Sequence, residues 1–162
     1  MAKIELKKPI VEEIAELFDG AQGAVLVDYR GLTVEQDTIL RKKLREAGVT
    51  YKVYKNTLIR RAAKGTAFEA LDPHLEGPTA LAVSKTDATA PARVLADFAK
   101  TADALELKAG VVEGTYYDQA GIQVIATIPS REILLGKLLG SIQSPIANFA
   151  RVINQIAEAK EA

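Results

Sequence analysis

Large apolar residues recur through the last thirty positions of the chain as Leu135, Leu139, Ile142, Ile146, Phe149, Ile153 and Ile156, at spacings of 4, 3, 4, 3, 4 and 3. That alternation is a heptad seam, a stripe down one side of an α-helix. A strand cannot use it, because strand side chains change face at every residue. Leu134, Leu138 and Val152 widen the stripe. A straight helix over residues 131–160 reaches roughly 45 Å at ~1.5 Å per residue, whereas a domain of about 130 residues is only some 30–35 Å across. The seam therefore divides the chain into a compact domain over residues 1–130 and a helical tail over residues 131–162. A tail folded back on its own sheet would cover the stripe, and so would partner helices. The length of the stripe favours partners. Pro145 follows Ser144, an N-cap and N1 pair, so it either starts a new helix or kinks a continuous one.

The first 130 residues alternate between helical and strand periods. Ile10, Ile14, Leu17 and Phe18 predict a helix over residues 9–19 that stops at Gly20, with Lys3, Lys7 and Lys8 at its start. Residues 24–27 form a short apolar strand, broken at Tyr29-Arg30-Gly31. Thr33 and Gln36 make a capping box for a second helix, closed by Gly48, with Ile39, Leu40, Leu44 and Ala47 as its apolar face. A strand over residues 49–54 leads to Asn56, which reads as the N-cap of a short helix whose Leu58, Ile59, Ala62 and Ala63 point inward. A second strand–helix–strand unit follows: residues 79–83, a helix with Pro91 in its first turn, and the alternating stretch 105–111. Residues 118–127 again look helical. The pattern predicts an α+β, ferredoxin-like domain: an antiparallel sheet with helices packed on one face, followed by the long helical tail.

Charge is segregated within that domain. Residues 41–64 hold nine basic side chains and one acid, Glu46, although the whole chain is formally neutral. The cations are Arg41, Lys42, Lys43, Arg45, Lys52, Lys55, Arg60, Arg61 and Lys64, with Tyr51 and Tyr54 among them. Cations interleaved with aromatics suit an RNA backbone with unstacked bases beside it, while a solvated helix face is the plainer reading of any charge run. The candidate RNA-binding set adds Lys7, Lys8, Arg30, Gly31, Asn56 and Thr57. Asn56 and Thr57 can bond RNA or cap the helix, and the two tyrosines can stack on bases or fill the core. Gly48 and Asn56 turn the chain so that the cations could converge. Arg60 and Arg61 are the leading candidates for direct phosphate contact.

Several classes of function find no support. The chain has no cysteine, so a disulfide framework and thiolate metal sites are excluded. The lone His74 sits in a turn between Pro73 and Leu75, and no phosphate loop, nucleophile elbow or metal-ligand cluster is present. We therefore expect no catalytic residues, no cofactor and no metal. No apolar run approaches the ~20 residues that span a bilayer, and the chain reads as cytosolic.

Ordered motifs along the whole length carry a resemblance. They are Asp28-Tyr29-Arg30-Gly31-Leu32-Thr33, Leu40-Arg41 and Leu44-Arg45 before Gly48, and Val53-Tyr54-Lys55-Asn56-Thr57-Leu58. Glu76-Gly77-Pro78-Thr79-Ala80, Pro129-Ser130-Arg131-Glu132 and Lys137-Leu138-Leu139-Gly140-Ser141 complete the set. In these the chain resembles the bacterial stalk-base proteins of the large ribosomal subunit, the family of large-subunit ribosomal protein ten. The resemblance implies a domain that binds ribosomal RNA beside ribosomal protein eleven, and a tail that docks dimers of the acidic stalk protein, which recruit translational GTPases. The implied tail contacts are Leu135, Leu139, Ile142, Ile146, Phe149, Val152, Ile153 and Ile156, a seam whose part beyond Pro145 is long enough for two such dimers. The family also implies binding to its own messenger leader. One departure is Ala147-Asn148 where relatives often carry Gly after the proline. The competing class is a nucleic-acid-binding regulator that self-associates through the tail.

Overall fold

The computed structural model describes residues 4–102 and 104–161; Lys3 and Ala162 lie outside them. The chain forms two compact units, Met1–Ile128 and Pro129–Ala162. In the first unit the order is α1 (Ile4–Phe18), β1 (Gly23–Asp28), α2 (Val34–Glu46), β2 (Val49–Val53), α3 (Asn56–Ala63) and a 3₁₀ segment, Ala67–His74. Then come β3 (Ala80–Ser84), α4 (Ala90–Ala99), β4 (Glu106–Val112), β5 (Thr115–Asp118) and α5 (Gln119–Ala126). The second unit is one helix, α6 (Arg131–Glu161).

The five strands lie in the order β2-β3-β1-β4-β5, and every neighbouring pair is antiparallel. The first four strands thus reproduce the expected ferredoxin-like order. The helices, however, cover both faces of the sheet. On one face Val25, Val27, Tyr51 and Ala82 pack with Leu40 and Leu44 of α2, Leu95 and Phe98 of α4 and Ile122 of α5. On the other, Ala24, Leu26, Leu81 and Val83 pack with Ile14 and Phe18 of α1 and with Leu58 and Ile59 of α3. Strands β1 and β3 are buried at every position, as continuous apolar runs without alternation must be. One-sided packing is corrected by those two strands. Phe18 and Phe68 stack at 4.6 Å beneath the second face.

Local chemistry explains most of the boundaries. Thr33 Oγ1 accepts from Gln36 N and Gln36 Oε1 accepts from Thr33 N, so the capping box is complete. Gly48, at φ +70°, takes the left-handed turn that ends α2. Ile39 is exposed, contrary to its place in the expected apolar face. It lies a further ~100° around the helix from Leu40, and α2 buries only the narrow Leu40–Leu44 stripe. Helix α1 begins at Ile4 and runs through Pro9, giving up one backbone bond near its start. Strand β5 was not anticipated. It returns from β4 through Glu113 (φ +50°) and Gly114 (φ +77°), a turn whose first residue is not one of the Asn or Asp signals of such hairpins.

Tyr51 belongs to the core. Its ring lies beneath the Arg41 guanidinium, 5.2 Å from ring centre to guanidinium carbon, and burial pushes its phenol up to about 12. The buried hydroxyl finds no hydrogen-bond partner among the described residues. A buried donor without a partner costs stability, so Tyr51→Phe should raise unfolding stability by about 1 kcal/mol. A fall in the urea midpoint would show instead that the hydroxyl is bonded.

Candidate nucleic-acid interface

Strands β1 and β2 run in the same direction with β3 between them, so their C-terminal ends meet at one end of the sheet, where β3 and β4 begin. Three segments distant in sequence converge there: the loop after β1, the β2–α3 junction and the turn before β3. Tyr29 from the first, residues 53–57 from the second and residues 77–79 from the third line an open groove of about 470 Å³.

Hydrogen bonds hold these segments together. Asn56 Nδ2 donates to the Gly77 carbonyl at 2.7 Å. Asn56 is therefore the first residue of α3 and not its N-cap. Lys55 occupies the cap position without a side-chain bond, and its carbonyl accepts from Leu58 N and Ile59 N. Lys108, from β4, donates through Nζ to Glu76 O at 2.7 Å, Pro78 O at 2.8 Å and Thr79 Oγ1 at 3.4 Å. The same nitrogen lies 3.7 Å from Asp28 Oδ2. Sequence reading overlooked Lys108, whose only signal is a lysine on the half-buried phase of a strand.

Asp28 is a buried carboxylate at this end of the sheet. It accepts from Arg30 N at 3.0 Å, from Arg30 Nε at 3.1 and 3.3 Å and from Arg30 Nη2 at 2.9 Å. Those bonds, led by the Arg30 side chain, hold its carboxyl below the usual carboxylate range against the opposing effect of burial. Because the folded value is depressed, the stabilisation is complete above the carboxylate range of the unfolded chain and fades as pH falls through the folded value. Gly31 has φ +83°, which strains any other residue, and a Cβ there would crowd Ala104 Cβ at 3.1 Å.

The expected cations do not converge on one patch. Helices α2 and α3 pack on opposite faces of the sheet, so Arg41, Lys42 and Arg45 stand on one side of the β2 margin, and Arg60, Arg61 and Lys64 on the other. Lys52 lies on the margin itself. The cations wrap around an edge of the sheet.

Several also have internal partners: Arg41 pairs with Asp37 at 2.7 Å, Arg60 with Asp72 at 2.6 Å, and Lys52 with Glu13, whose carboxylate also accepts from the Tyr54 hydroxyl. Lys7, Lys8, Lys42, Arg45, Lys55, Arg61 and Lys64 form no ion pair among the described residues, and Thr57 is exposed on the groove wall. Lys43 lies over the Phe98 ring. His74 is stacked against Tyr116, with its Nε2 in hydrogen-bond range of the phenol.

In the second unit α6 is a continuous helix of 31 residues with Pro145 inside it, so the proline does not start a new one. All eight seam residues are exposed, Ile146 at 73% and Phe149 at 68%. Among the described residues no helix is long and apolar enough to cross a membrane, and no cluster of three or more His, Asp or Glu could hold a metal ion.

Residues 2–100, which contain the whole lining of the groove and all of the basic stretch, match the family Ribosomal protein L10. The chain belongs to the uL10 family. Residues 128–162, the seam, match the uL10 C-terminal region. The large ribosomal subunit protein uL10 of Alkaliphilus metalliredigens is 54% identical over 157 residues, covering 97% of this chain and 95% of the relative. That of Staphylococcus aureus strain JH9 is 49% identical over 160 residues, covering 99% and 96%. As a uL10 protein the chain is a non-enzymatic, structural component of the large ribosomal subunit.

Proposed function

We propose that the chain forms the base of the large-subunit stalk. Its first unit binds ribosomal RNA with the groove end and the β2 margin, beside ribosomal protein eleven. Its second unit carries dimers of the acidic stalk protein on the α6 seam and so supports recruitment of translational GTPases. The observation that carries this reading is the separation of two chemistries. The cations and the groove belong to the α/β unit, and an exposed apolar stripe runs along a helix that forms a unit of its own. Phosphates are recognised by the first kind of surface and amphipathic helices by the second.

The salt dependence of binding to a fragment of large-subunit ribosomal RNA tests the first half. Arg61 makes no internal ion pair, so Arg61→Ala should weaken binding and lower the slope of log K against log salt by about 1. Arg60 must leave Asp72 to meet a phosphate, so Arg60→Ala should lower it by less. Unchanged slopes for both variants would remove α3 from the interface.

A further inference from the structure

We infer that Asp28 is a positioning residue for RNA recognition, holding the Arg30 guanidinium at the rim of the groove in the orientation that receives a phosphate. This rests on the RNA-binding reading above and goes further by giving a role to an acid. A carboxylate near a phosphate-binding wall repels the ligand unless something else comes of it.

The geometry shows what comes of it. Asp28 is an anchor and Arg30 an exposed head, their side chains being 7% and 70% accessible. The carboxylate takes the Nε and Nη2 edge of the guanidinium. A guanidinium has five donors in a rigid fork, so the Nη1 donors and the second Nη2 hydrogen remain for a ligand. The same carboxylate accepts from the Arg30 backbone N–H, fixing main chain and side chain together. Gly77, on the groove wall, lies beside this head: a Cβ built there would be 3.8 Å from Arg30 Nη2 and 3.9 Å from Lys108 Nζ. Lys108 sits 3.7 Å from Asp28 Oδ2. The trio therefore sets two cations against one carboxylate, a net of one positive charge before Glu106 is counted. Glu106 on β4 is the other acid whose charge Arg30 feels. An arginine held in this way gives up its rotamer freedom on folding and not on binding, which is what preorganisation means.

The test is a double-mutant cycle on the full chain, titrating a large-subunit ribosomal RNA fragment at several salt concentrations. Asp28→Asn removes a negative charge, so simple electrostatics predicts tighter binding. Positioning predicts about fivefold to tenfold weaker binding, and less than a twofold effect once Arg30→Ala is present. Arg30→Lys keeps the charge without the fork. It should bind as poorly as Asp28→Asn, which keeps the inference testable even if Asp28→Asn folds badly. Three results would overturn it: Asp28→Asn binding RNA as well as or better than the parent, equal weakening in both Arg30 backgrounds, or Arg30→Lys matching the parent. Arg61→Ala in the same titration reports on the RNA reading separately. If it weakens binding while the cycle shows no coupling, the interface stands and only the role of Asp28 falls.

Discussion

Truncation after Gln143 should abolish uptake of acidic stalk-protein dimers and leave affinity for ribosomal RNA within about twofold of the full chain. The cut removes Ile146, Phe149, Val152, Ile153 and Ile156, all exposed, and keeps Leu135, Leu139 and Ile142. Burying a large apolar side chain contributes ~1.5–3 kcal/mol, so five of them represent roughly 8–15 kcal/mol before the entropy of association is subtracted. A nanomolar complex needs only about 12 kcal/mol, so no specific binding survives the loss. RNA affinity should survive because the groove, Arg30 and the β2 margin belong to the unit Met1–Ile128. Sedimentation of the lone chain, and of the chain with stalk-protein dimers, provides the readout. A full chain that sediments alone as a stable homo-oligomer would favour a self-associating regulator. Equal loss of RNA binding on truncation would place the tail within the domain core.

Lys108→Met carries the next largest effect. It leaves the Pro78 carbonyl and Thr79 Oγ1 without their donor and takes one of two cations from Asp28. Breaking such a cluster deep in a protein costs ~3–5 kcal/mol, and unpaired polar groups cost ~1–3 kcal/mol each. Lys108 is about one-fifth accessible, and water can replace its bond to the Glu76 carbonyl. A loss of about 2 kcal/mol in urea unfolding is therefore expected, together with roughly tenfold weaker RNA binding as the Gly77 wall loosens. A stability change below about 0.5 kcal/mol would show that the turn before β3 holds without the lysine.

Features set by a few neighbouring residues were legible in the sequence. The capping box at Thr33 and Gln36, the left-handed Gly48 and the inward face of α3 all depend on spacings of three or four residues. The seam was readable because a helix exposes its period directly. Features that depend on distant partners were not readable. Asn56 has the right chemistry for a cap, but the Gly77 carbonyl, 21 positions away, claims its amide. Glu13 and Asp72 neutralise Lys52 and Arg60 from other elements, so a count of cations overstated the free charge. Lys108 lay in a different strand from every motif it ties together. Two-sided packing was visible in principle, because the unbroken apolar runs of β1 and β3 permit nothing else.

The position of β2 at the margin of the sheet has a bearing on the chain before it meets any ribosome. A marginal strand offers its unpaired backbone groups to any other strand, including the same strand of another copy. Here Thr50 and Lys52 are exposed, Lys52 already paired with Glu13, and the flanking helices carry cations without ion pairs, Lys42 and Arg45 on one side and Arg61 on the other. Two copies approaching edge to edge would bring like charges together while burying little apolar surface. Neutralising the flanking cations is therefore expected to raise edge-to-edge association of the lone chain as well as to cost RNA affinity, which sedimentation of the variants would read.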